Sequence, residues 1–131
     1  MKPMRFVSFH THRTYSYGDG YGTVAEHVAS VKSLGMTALA LSEHGNVNSH
    51  VALERKCNEA QIKPIFGIEA YFSPPKTKQK FHITLFARND EGYRNLNKIV
   101  TQSYLDAYQY PTVSWENLVK NNAGIAAFSG C

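Results

Sequence analysis

The sequence predicts an α/β fold in which short strands alternate with amphipathic helices. Three observations carry this reading. Apolar residues recur at helical spacing in several stretches, short apolar runs lie between those stretches, and Gly or Pro punctuates many of the boundaries. At 131 residues the chain has the length of one domain and is read as a single domain, 1–131.

The elements follow in order. Residues 5–9 form a strand candidate. Thr23 to Glu26 has the Thr-x-x-Glu form of a capping box, opening a helix with Val24, Val28 and Val31 on one stripe. Gly35, after Leu34, is placed to end that helix. Residues 38–41 form a short apolar strand. A second helix covers 48–60, with Leu53, Cys57 and Ala60 facing inward. A third strand covers 65–72 and is closed by Pro74-Pro75, and a fourth covers 81–87. From Asp90 a helix presents Tyr93, Leu96, Val100 and Tyr104 on its stripe. Ser114 caps a short helix through Val119, and Gly124 leads into a last strand, 125–128. This alternation implies a parallel sheet or a barrel.

An apolar fraction of 43% and a charged fraction of 18% describe a globular chain rather than a disordered one. The net charge of +4 tolerates a polyanion such as nucleic acid without requiring one. Two cysteines, Cys57 and Cys131, do not make a disulfide framework, so a reducing cytoplasm is expected. No apolar run approaches the ~20 residues of a membrane span, and the first residues lack the pattern of a signal peptide. The basic stretch 76–80, Lys-Thr-Lys-Gln-Lys, reads as a solvated turn ahead of a phosphate contact.

Chemistry concentrates at strand ends. His10 and His12 flank Thr11 directly after the first strand, and in extended backbone residues i and i+2 point the same way, so both imidazoles can reach one metal. Asp19 follows in the Gly18-Asp19-Gly20 turn, which lets a carboxylate return to the same mouth. Glu43-His44-Gly45 lies just past the second strand. Glu69 sits among Ile65, Phe66, Ile68 and Phe72, where a buried carboxylate needs a partner. His82 belongs to the fourth strand and Cys131 closes the chain. Imidazole nitrogen with carboxylate oxygen suits zinc, manganese or iron, and bridging carboxylates suit more than one ion. His27 and His50 are assigned to surface or core packing rather than ligation.

Phe9-His10-Thr11-His12, Tyr15-Ser16 and Asp19-Gly20 together resemble the opening motif of the polymerase and histidinol phosphatase (PHP) superfamily, in the form found at the N-terminus of bacterial replicative polymerase alpha subunits. The resemblance continues through residues 34–41, Glu43-His44-Gly45-Asn46, residues 62–69, His82-Ile83-Thr84-Leu85, Glu91-Gly92-Tyr93-Arg94-Asn95 and Ser129-Gly130-Cys131. It implies a distorted β/α barrel, here partial. It also implies metal ligands at His10, His12, Asp19, His44, Glu69, His82 and Cys131. The expected cofactors are two or three divalent ions, zinc or manganese first, with iron or magnesium as alternatives. The expected partners are DNA and further polymerase domains or subunits, with no membrane.

The chain departs from the family pattern at two points. Glu43 stands where the family usually has Asp, and one more methylene moves a carboxylate by ~1.5 Å, enough to disturb a hydrogen bond that supports the metal ligands. The family's late Asp-x-His pair lies beyond Cys131, so the domain is read as lacking the C-terminal part of the barrel. A piece of a larger polymerase, a small independent relative and a splicing junction at Cys131 all fit this extent. Three functions follow: a metal-dependent phosphoesterase or 3′–5′ exonuclease, a non-catalytic scaffold docking to the rest of a polymerase, or a small-molecule phosphate monoesterase. In the first, His10, His12 and Glu69 hold one metal, His44 and Asp19 another, and Arg13 is a candidate phosphate contact.

Overall fold

Helix α1 (Val24–Ser33) begins where its cap is written. The Thr23 hydroxyl accepts the Glu26 amide at 3.2 Å, and the Glu26 carboxylate accepts the Thr23 amide at 2.7 Å, which satisfies two otherwise unpaired donors. At the far end the Gly35 amide donates to the Lys32 carbonyl at 3.0 Å and the Met36 amide to the Val31 carbonyl at 3.1 Å. This pattern needs a left-handed residue, and Gly35 supplies it with φ +70°. The computed structural model describes residues 6–77 and 79–130; Arg5, Lys78 and Cys131 lie outside the described residues.

After α1 come β1 (Ala38–His44), α2 (His50–Ala60), β2 (Lys63–Ser73), β3 (Phe81–Ala87), α3 (Asp90–Leu105), β4 (Thr112–Ser114), α4 (Trp115–Lys120) and β5 (Ile125–Ser129). The strands form one sheet in the order β1-β2-β3-β5, with β4 beside β2. The expected parallel sheet is corrected to a mixed one. β2 and β3 pair antiparallel, with Glu69 opposite Thr84 and Tyr71 opposite His82, and β3 and β5 also pair antiparallel. The reason is chain length. Residues 74–80 are too few for a parallel crossover, whereas β4 joins β2 in parallel after α3 has carried the chain back.

Two compact units divide the chain. The first runs up to His44 and takes in Asn48–Phe66; the second comprises Gly45–Val47 and Gly67 onward. Each has its own core. In the first, Val24, Val28 and Val31 of α1 and Leu53 and Cys57 of α2 pack with Leu39 and Leu41 of β1. Complete burial of Leu39, Leu41 and Leu53 contributes about 1.5–3 kcal/mol each. Burial also raises the Cys57 thiol to a pKa of about 11. In the second unit, Leu96, Ile99 and Val100 of α3 pack with Ile68, Ala70, Leu85 and Val113.

Several expectations need adjustment. Phe6 to Phe9 do not form a strand. The segment after them runs beside β1, but its amides are taken by side chains: Thr11 N–H donates to the Ser42 hydroxyl at 3.0 Å and Arg13 N–H to the Glu43 carboxylate at 2.9 Å. Helix α2 starts at His50, two residues later than its pattern suggests, and Ser49 makes no side-chain cap bond. The buried stripe of α3 is Leu96, Ile99, Val100 and Ser103, so Tyr104 faces outward. No helix among the described residues is long and apolar enough to cross a membrane.

Candidate metal centre

In the first unit the ligand-type residues come from one irregular segment and one strand end. The Ser16 amide donates to the Arg13 carbonyl at 2.8 Å and the Gly20 amide to the Ser16 carbonyl at 3.0 Å, folding 13–20 back on itself. A Cβ on Gly20 would lie 1.8 Å from the Arg13 carbonyl oxygen, so only glycine permits this close return. The turn carries Asp19 to His44, the last residue of β1. Its two carboxylate oxygens lie 3.0 and 2.9 Å from His44 Nε2, and this bond lowers the Asp19 pKa. His12 stacks on His44 with ring centroids 4.1 Å apart. His10 and His12 bring their Nε2 atoms to 3.0 Å. The i, i+2 geometry expected of this pair is therefore realised without a strand.

These residues fit a divalent metal. Two nitrogens bound to one tetrahedral ion at ~2.0 Å lie ~3.3 Å apart, close to the His10–His12 separation. Imidazole nitrogen and carboxylate oxygen are the donors that borderline metals such as zinc take.

Behind this cluster lies a buried network in which Glu43, expected from its extra methylene to disturb a supporting hydrogen bond, instead accepts two, while the part played by Ser16 was not assigned from the sequence. Glu43 is 0% and Ser16 2% exposed. Ser16 donates to Glu43 Oε2, which also accepts the Arg13 amide. The Ser16 hydroxyl in turn accepts the His44 amide at 3.1 Å and lies 3.1 Å from His12 Nδ1. A serine inside a turn has no periodicity to mark it; the signal available in the sequence was a carboxylate directly before His44.

Arg13 is anchored locally. Its Nη1 donates to the Tyr21 carbonyl at 2.6 Å and its Nη2 contacts His27 Nδ1. Burial lowers the Arg13 pKa, opposed by the Glu43 and Glu26 carboxylates. Burial, and then the Arg13 charge, push His27 down to about 4, which makes it a neutral packing residue. His50 is fully buried with its ring 5.2 Å from that of Phe66, a core position.

In the second unit Glu69 and His82 face each other across the β2–β3 ladder, diagonal neighbours on one face. His82 Nδ1 lies 3.1 Å from Glu69 Oε1, and Glu69 is 2% exposed. His82 sits at the start of β3 rather than at its end, because β3 runs antiparallel and its start lies beside the C-terminal part of β2. The Tyr71 ring packs 5.0 Å from His82, and the Gly130 amide donates to the His82 carbonyl at 2.9 Å. Cys131, the remaining expected ligand, lies outside the described residues.

Comparison with known proteins follows the same lines. The PHP domain model matches residues 8–131. The chain is 33% identical to the DNA polymerase III subunit alpha of Borreliella burgdorferi over 97% of its own length, and 36% identical to that of Helicobacter pylori over 96%. It spans 12% and 11% of those two proteins. Among solved structures, a Bifidobacterium adolescentis protein described as a metal-dependent phosphoesterase superposes with a TM-score of 0.60 at 16% identity, covering 79% of this chain and 35% of that one. An amidohydrolase from Chromobacterium violaceum superposes with a TM-score of 0.54 at 19% identity, covering 71% and 32%. These two likenesses concern the fold, a mixed α/β architecture consistent with a partial distorted barrel. With the family model matching residues 8–131, nearly the whole of the chain, the chain belongs to the PHP domain family.

Proposed function

We propose that the chain is the metal-dependent phosphoesterase module of a replicative DNA polymerase III alpha subunit, acting on phosphodiesters at a DNA 3′ end in a cytoplasmic setting. The observation that carries the reading is the convergence of His10, His12, Asp19 and His44 in the first unit, with donor spacing suited to a divalent ion. His10, His12 and Glu69 are assigned to one metal and His44 and Asp19 to another, with His82 and Cys131 as further ligands. Zinc or manganese suits these donors best, with iron or magnesium as alternatives. Such ions would polarise a phosphoryl oxygen and lower the pKa of an attacking water. The protein's own part is to hold the imidazoles and carboxylates in place. Arg13 could meet a substrate phosphate only by leaving Tyr21 and His27.

The test is metal content by plasma mass spectrometry, followed by nucleotide release from a primed DNA with manganese or zinc. Two or more ions per chain, fewer in His12→Ala, with nucleotide release abolished in that variant, is the expected result. Metal uptake with hydrolysis of phosphate monoesters alone would place the activity with small-molecule phosphatases. No bound metal and no release would leave a scaffold that docks to other polymerase domains. The exposed β5 edge, with Phe128 standing out of it, favours that second reading.

A further inference from the structure

We infer that Ser16 and Glu43 are positioning residues that fix the ring proton of His12 on Nδ1 and so leave Nε2 as its ligand atom. Glu43 Oε2 accepts two hydrogen bonds, from the Arg13 amide and the Ser16 hydroxyl, which occupy both of its lone pairs. Ser16 has a single hydroxyl proton, and it is committed to Glu43. Its oxygen retains two lone pairs. One accepts the His44 amide at 3.1 Å, and the other faces His12 Nδ1 at 3.1 Å. An acceptor facing that nitrogen requires a proton on it. The neutral ring is therefore the Nδ1–H tautomer, with its lone pair on Nε2, the atom 3.0 Å from His10 Nε2.

The same hydroxyl thus orients two family-motif histidines, the ring of His12 and the backbone of His44. It also gives the longer side chain of Glu43 a role. With the extra methylene, the carboxylate buried at the end of β1 meets the hydroxyl in the turn and bonds to it, and the hydroxyl then bonds to the imidazole. A partner behind a ligating imidazole sets both its tautomer and its orientation, and losing one commonly weakens metal binding 10–100-fold. The functional weight of this arrangement rests on the proposed ligand role of His12, but the tautomer itself does not.

The experiment is nitrogen NMR of the full chain, labelled with 15N-histidine, free of metal at about pH 8 where imidazole is neutral. His12 is expected to show a protonated Nδ1 and an unprotonated Nε2. Ser16→Ala is expected to release the ring to a mixture of tautomers, and Ser16→Thr, which keeps the hydroxyl, to retain Nδ1–H. Zinc titration should then find Ser16→Ala about tenfold weaker than Ser16→Thr. A wild-type His12 protonated on Nε2 overturns the inference, whether or not Ser16→Ala folds. So does a tautomer unmoved by Ser16→Ala. If His12 is Nδ1–H in the wild type and changes in Ser16→Ala while neither protein takes up zinc, the positioning role stands and the metal-dependent reading falls.

Discussion

The two units hold their histidines by different means. In the second, His82 projects from a regular ladder and meets Glu69 diagonally across two paired strands. In the first, His10 and His12 project from a segment with no ladder, and His12 is held by a chain of side chains, Ser16 then Glu43, anchored at the end of β1. Strand pairing fixes a side chain through backbone bonds that any sequence can make. Where the backbone is irregular, specific hydroxyls and carboxylates must do that work. The first unit is therefore the one in which point substitutions away from the histidines should disturb the histidines.

The cores give the largest effect by which this contrast can be tested. Leu39→Ala in the first core and Ile99→Ala in the second each remove a fully buried side chain, and each should cost about 2–5 kcal/mol in urea unfolding. Only Leu39→Ala should also disturb the His10 and His12 resonances; equal disturbance by Ile99→Ala would erase the distinction.

His27 gives a smaller, pH-dependent effect. Its folded pKa of about 4 lies below the ordinary 6.5. Between those values the unfolded chain binds the extra proton, so this contribution is complete above pH 6.5 and is lost as the pH falls toward 4. The loss should be on the order of 1–3 kcal/mol. The wild type should therefore lose more stability over that window than His27→Gln, and parallel pH profiles would refute the assignment. Smallest are the caps. Thr23→Ala in the first unit and Ser114→Ala in the second should each cost ~1 kcal/mol by thermal unfolding, since both hydroxyls accept a first-turn amide.

Much of the fold was legible because its signals are local. The capping box at Thr23, the residue ending α1 and the limits of β3 all follow from short patterns of residues. What pairs with what was less legible. The alternation of strands and helices suggested parallel pairing, and the short 74–80 connection decided otherwise. Residues 6–9 carry a strand-like composition, yet the donors that follow them go to the Ser42 and Glu43 side chains. At the site, the residue types and spacing of His10, His12, Asp19 and His44 pointed to one cluster, and the geometry of the first unit brings those four together. Glu43 was legible as a supporting carboxylate but was expected to disturb its bond, which it makes; Ser16 stayed hidden in its role, because a hydrogen-bonded relay between a turn and a strand end leaves no periodic trace.

Cys57 has a consequence of its own. Its thiol is fully buried and its pKa of about 11 leaves only ~0.01% as thiolate at neutral pH. In the closed state it is shielded from alkylating reagents and oxidants alike. Any modification at this position must then report a moment when the core shared by α1, α2 and β1 opens. The first unit carries a built-in clock for its own breathing, read from the rate at which Cys57 is labelled.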